Sequence, residues 1–189
     1  MREIIPDNID PIKYELELTP DLKKFTFSGV ITIHFKTKTE LNKIILNAKE
    51  LDILNSTLKY GNVTKYSLGK ESVIYDKEKE RVQFNLSNSI PKGKNVLFTI
   101  NYTGILNDEM AGFYRSKYQN SDEYMAVTQF EATDARRALP CIDEPAKKAI
   151  FQLTLKIDKE LTGLGNTPVI EEKILDDKKI IKFAESPIM

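Results

Sequence analysis

Apolar and polar residues alternate with a period of two along most of this chain. In "SGVITIHFKT", Ile31, Ile33 and Phe35 share one face, and Thr32, His34 and Lys36 the other. "YELEL" sets Tyr14, Leu16 and Leu18 opposite two glutamates. "NVLFTINYTG" alternates Val96, Phe98, Ile100 and Tyr102, and "AIFQLTLKID" alternates Phe151, Leu153, Leu155 and Ile157. Successive side chains of a strand point to opposite faces, so these segments predict half-buried strands. Turn-forming stretches separate them: "TPDLKK", "YGN", "DKEKER", "IPKGKN" and "DDKK". Closely spaced strands joined by short polar turns predict an all-β domain, an antiparallel β-sandwich or an open barrel. Nothing in the pattern suggests a parallel sheet with crossover helices.

Helix is confined to one region. "TDARRAL" opens with potential caps at Thr133 and Asp134 and is stopped by Pro140. "DEPAKKA" offers a second short turn, with Asp143 as cap and Pro145 near its start. One or two short helical turns are therefore expected near 134–148. No repeat, low-complexity tract or linker divides the chain. A single domain of 189 residues buries roughly 70% of the surface its unfolded chain exposes, so it needs no crosslink to fold.

Composition removes several function classes. Basic and acidic residues number 28 each and are interspersed. Nucleic-acid binding needs a concentrated positive face, so nucleic acid is not expected as a partner. The single cysteine, Cys141, excludes an internal disulfide. No segment approaches the roughly 20 apolar residues that span a bilayer, and the N-terminus lacks an apolar run long enough for a signal peptide. A cytoplasmic protein that does not engage membrane is expected. On that reading the Asn-x-Ser/Thr triplets at Asn55, Asn62, Asn85 and Asn101 are chance matches.

Catalytic plans fail by inventory. The one histidine, His34, lies in mid-strand on the polar side, so a site of two histidines and a carboxylate cannot be built. No G-x-G-x-x-G or P-loop pattern occurs. The acidic turns mix both signs and read as solvated loops rather than calcium sites.

What remains is "TQFEATDARRALPCIDEP", Thr128 to Pro145, which packs four acids, two adjacent arginines, the cysteine and two prolines into eighteen residues. "EYMAVTQF" reads as a strand, placing Gln129 and Glu131 on one side of its end. Polar groups at a strand terminus beside a helical turn commonly face a cleft. A carboxylate there binds a cation, and an amide beside it bonds a substrate backbone. The competing reading is structural: Glu131 and Asp134 pair with Arg136 and Arg137 to pin an irregular corner. Cys141 reads as a small buried hydrophobe.

The stretch resembles the N-terminal domain signature of the aminopeptidase N family of zinc metallopeptidases. "GFYRSKY" resembles the strand preceding that signature, "DKELTGLGNTPV" a following loop, and "FAESPIM" the segment before the domain's last strand. "PIKYELELTPDLKKFTFSGVITIHF" resembles its first hairpin. The likeness covers nearly the whole chain. Leu139, Ile142 and Gly165 depart from the common pattern, at packing or turn positions.

The resemblance implies a saddle-shaped β-domain over residues 1–189, short of its last strand and of a downstream thermolysin-like catalytic domain. The zinc of the full-length parent would be held by that second domain, with none bound by this chain, which would be inactive alone. The partners implied are peptide substrates and the catalytic domain of the same polypeptide. Carried over residue by residue, Glu131 matches the glutamate that helps hold the substrate α-ammonium, and Gln129 matches a residue lining the pocket for the first side chain. Arg136 and Arg137 would hold Asp134, Asp143 or Glu144. The resemblance also implies a cis peptide bond between Glu131 and Ala132, and a docking face that leaves apolar surface exposed.

Overall fold

The computed structural model describes residues 4–61 and 63–189. Asn62, in the "YGN" turn and in one glycosylation-like triplet, lies outside the described residues. The strands, in chain order, are β1 (Ile9–Asp21), β2 (Thr26–Thr37), β3 (Leu41–Asn47), β4 (Leu51–Tyr60), β5 (Val63–Leu68), β6 (Val73–Asp76) and β7 (Arg81–Ile90). They continue with β8 (Asn95–Ile105), β9 (Gly112–Lys117), β10 (Tyr124–Gln129), β11 (Ile150–Asp158), β12 (Val169–Leu175) and β13 (Lys178–Phe183). Eight form one sheet in the order β12-β13-β11-β1-β2-β8-β4-β5; β3, β7 and β6 form a second, and β9 with β10 a third. The large sheet does not close on itself, and the chain is all-β, consistent with the expected sandwich.

In β2 and β8 the alternation read in the sequence is the alternation of burial, whereas β11 is half-buried on both faces as far as Lys156. Ile31, Ile33 and Phe35 of β2 and Val96, Phe98, Ile100 and Tyr102 of β8 are all buried. Their face carries the core. Phe98 meets Phe84 of β7 edge to face at 4.9 Å, which joins the three-stranded sheet to the large one. Phe27 of β2 meets Phe113 of β9 at 5.0 Å, which joins the β9–β10 pair to the same face. Offset and edge-on ring pairs add to the apolar burial itself.

One ladder departs from the expected antiparallel pattern. β1 and β11 run parallel, from Lys13 opposite Ile150 to Leu18 opposite Leu155. The cause lies in the segment before β11. Lys147 bonds the carboxylate of Asp10 at 3.0 Å and the carbonyl of Ile9 at 3.2 Å, and pairs with Asp7. Hydrogen bonds from Lys147 and Lys38 pull the Asp7 carboxyl down to about 2. The chain thus reaches the sheet beside the start of β1 and can only run alongside it in the same direction.

Candidate functional site

Residues 130–143 cross the inner face of the large sheet and are fastened to it from several sides. Tyr102 of β8, fully buried, donates its hydroxyl proton to the Ala138 carbonyl at 2.8 Å. Its ring lies across β2 at Gly29, where an added Cβ would sit 2.3 Å from the ring carbon Cζ. Tyr14 of β1 accepts from the Ile142 N–H at 3.2 Å. From the small sheet, Asn47 exchanges two backbone hydrogen bonds with Cys141, at 2.7 and 3.1 Å, and its side chain accepts from the Asp143 N–H. Leu139, Cys141 and Ile142 are buried in the core. Burial pushes the Cys141 thiol well above its usual range, so it packs as an inert hydrophobe.

One short 3₁₀ turn forms, Ala135–Arg137. The expected second turn is a simple reverse turn at Pro145–Ala146, with the Lys147 N–H bonded to the Glu144 carbonyl. Asp134 occupies the cap position but makes no side-chain cap hydrogen bond, because its carboxylate is drawn to Arg137 at 3.2 Å.

The two arginines point to different acids. Arg136, 8% exposed, bonds Asp143 through Nε at 2.9 Å and Glu80 through Nη1 at 3.0 Å. Arg137 reaches Asp134, Glu50 at 2.5 Å and Glu109 at 3.1 Å. Glu50 and Glu80 both adopt left-handed backbone conformations in turns, with φ of 58° and 53°. Gly112, with φ of 72°, lies against Arg137, where an added Cβ would fall 2.4 Å from the arginine Cβ. Asp134 and Asp143 are the partners expected; Glu144 makes no ion pair with either arginine. Glu50, Glu80 and Glu109 were not legible, since each lies in a charged turn with no local signal of a distant partner.

Glu131 stands apart from this network. β10 ends at Gln129, opposite Gly112, and Glu131 lies two residues further on, in the turn. Both Gln129 and Glu131 are exposed. Among the described residues Glu131 has neither a hydrogen bond nor an ion pair. The structural reading, in which Glu131 helps pin the corner, therefore fails for Glu131 and holds for Asp134. The Glu131–Ala132 peptide bond is cis.

Among the described residues, no three of His, Cys, Asp and Glu converge where they could hold a metal ion. His34 instead bonds Glu15 at 3.0 Å on the polar face of the large sheet. Zinc does not fit any grouping seen here. No helix of the described residues is long and apolar enough to cross a membrane.

Anchoring this tight has a measurable consequence. Tyr102→Phe would leave the buried Ala138 carbonyl without its donor. The expected loss is about 1–3 kcal/mol of unfolding free energy, the penalty of an unsatisfied buried acceptor. Urea unfolding should show a lower midpoint at unchanged slope; an unchanged midpoint would mean the corner is not held through Tyr102.

Fold and corner together define a β-sandwich domain with a fastened edge on which Glu131 is exposed and, among the described residues, unpartnered. Comparison with known proteins is more specific. Residues 10–189 match the family described as the Peptidase M1 N-terminal domain, and the chain belongs to that family. It is 41% identical to Aminopeptidase 2, mitochondrial, of Saccharomyces cerevisiae, over 100% of this chain and 20% of that protein. It is 39% identical to Aminopeptidase M1 of Arabidopsis thaliana, over 98% of this chain and 21% of that protein. Against the Alanine/arginine aminopeptidase of Saccharomyces cerevisiae the identity is 36%, over 100% and 22% respectively. The chain thus spans about a fifth of the length of the curated relatives it matches.

Proposed function

We propose that this chain is the N-terminal domain of a zinc-dependent aminopeptidase, and that Glu131 and Gln129 help bind the peptide's free N-terminus at the edge of the active-site cleft. The observation that carries this reading is the division of labour in the corner. Asp134 and Asp143 are consumed by arginines, while Glu131, on the same scaffold, is exposed and unpaired. An exopeptidase must recognise a positive α-ammonium and fix its distance from the first peptide bond. A carboxylate on a fastened turn does both, by charge-assisted hydrogen bonding and by orientation. Gln129, the last residue of β10, offers an amide to the first residue of the peptide.

The remainder of the machinery, including the zinc, belongs to the downstream part of the polypeptide, against which this domain packs to cap the cleft. The test uses full-length parent and isolated chain side by side. The parent should release N-terminal residues from free peptides, ignore the same peptides when N-acetylated, lose turnover on metal chelation and regain it with zinc. The isolated chain should release nothing. Cleavage of acetylated peptides at comparable rates, or zinc-independent turnover, contradicts the reading.

A further inference from the structure

β12 forms one edge of the eight-stranded sheet, pairing with β13 alone. All seven of its residues are exposed. Ile170 and Ile174 are 57% and 64% exposed, and Val169 and Leu175 are 48% and 57%. Natural edge strands discourage further pairing with charge, proline, brevity or a bulge. β12 has a bulge between Val169 and Glu171, yet four of its seven side chains are apolar and face water. Apolar exposure concentrated in this way marks an interaction surface.

The order of residues identifies the partner. The strand reads Val169-Ile170-Glu171-Glu172-Lys173-Ile174-Leu175. Two copies laid antiparallel about a two-fold axis at Glu172 place Ile170 of one copy opposite Ile174 of the other. The same register places Glu171 of one opposite Lys173 of the other. Symmetry makes each pair occur twice, and only Glu172 meets its own kind. The bulge falls at Ile170, which the β13 ladder skips between Val169 and Glu171, so Glu171 to Lys173 form the regular centre of the match and Ile170 meets Ile174 from the bulge. Directly opposed apolar pairs and opposite charges are the stabilising units of a sheet, and opposed like charges destabilise it. A one-residue slip would turn every side chain to the wrong face. A two-residue slip in either direction sets an isoleucine against Glu172. The register centred on Glu172 is the one that pairs both isoleucines and both opposite charges, at the cost of one Glu172–Glu172 opposition, and it is self-complementary, as a two-fold interface must be.

We propose that β12 is a homodimerisation edge, pairing antiparallel with β12 of a second copy of this chain in the register centred on Glu172. The contact joins two short strands, small for a stable interface, so the dimer forms in a concentration-dependent way.

Sedimentation equilibrium on the 189-residue chain and two surface variants tests this. The wild-type mass should rise with concentration from 21.6 kDa toward twice that value. Glu171→Lys alone opposes two lysines at both symmetric positions, and Lys173→Glu alone opposes two glutamates. Each variant should stay monomeric. An equimolar mixture of the two restores both opposite-charge pairs and should dimerise like wild type. Within one chain Glu171 and Lys173 pair with each other at 3.2 Å; each variant loses that exposed pair, which adds little to stability, so both should fold, and the mixture separates the register from general stickiness. A wild-type chain that stays monomeric at high-micromolar loading overturns the proposal. So do single variants that associate as wild type does, or a mixture that remains monomeric.

Discussion

Replacing Glu131 by alanine in the full-length parent is expected to lower kcat/KM for peptides by about 2–4 kcal/mol, or roughly 30- to 900-fold. The magnitude follows from what the side chain meets. In the isolated domain Glu131 is solvated and unpaired, so removing it leaves nothing behind uncompensated. In the substrate complex it would face a desolvated ammonium, and removing it would strand that charge. Unfolding free energy should accordingly move by less than about 0.5 kcal/mol, as for surface substitutions away from structural features. Glu131→Gln keeps an acceptor of the same shape but no charge, and should fall between alanine and wild type. The informative result is the separation of large kinetic loss from small stability change. A kcat/KM within a factor of about two of wild type, well under 1 kcal/mol, would remove Glu131 from the site.

Arg136→Ala is expected to behave in the opposite way, with a loss of about 3–5 kcal/mol of stability, the cost of stripping one partner from a buried pair. The side chains of Arg136 and Asp143 are 10% and 14% exposed, so Asp143 could not recover its solvation. Arg136→Lys keeps the charge but cannot span Asp143 and Glu80 with one planar group, so it should recover only part of the loss. Arg137→Ala should cost less, because Glu50 and Glu109 are 52% and 62% exposed and return to water. Urea midpoints for the three variants give the ranking; Arg137→Ala costing more than Arg136→Ala would contradict it. The pair also sets an acid limit. Burial alone would raise the Glu80 carboxyl, but the hydrogen bonds and charges of Lys49 and Arg136 outweigh it and hold it below its usual value. A carboxyl lowered by folding contributes stability that is complete above its unfolded value of about 4.3 and is lost as pH falls through its folded value. The gap between wild type and Arg136→Ala should therefore narrow in that acid range.

Strands β2 and β8 were legible because their burial follows period two residue by residue, as in Ile31, Ile33 and Phe35. Strand direction is not written in that period. The parallel pairing of β1 with β11 depends on where Lys147 meets Asp7, Asp10 and Ile9, about 140 residues away in sequence. The corner was legible as a cluster of charges, and its family resemblance singled out Glu131 as the carboxylate proposed to hold the ammonium. Residue chemistry alone could not separate Glu131 from Asp134, since both are acids near arginines. Only the positions of Glu50, Glu80 and Glu109, contributed by distant turns, show that the arginines are satisfied without Glu131.

The most direct test of Glu131's role is a crystal structure of the full-length parent with a free amino acid bound as product. A Glu131 carboxylate oxygen about 2.7–2.9 Å from the α-ammonium nitrogen, the length of a charge-assisted hydrogen bond, with Gln129 beside the same residue, is the predicted result. An ammonium held entirely by other groups, with Glu131 beyond the ion-pair reach of about 4 Å, would contradict it.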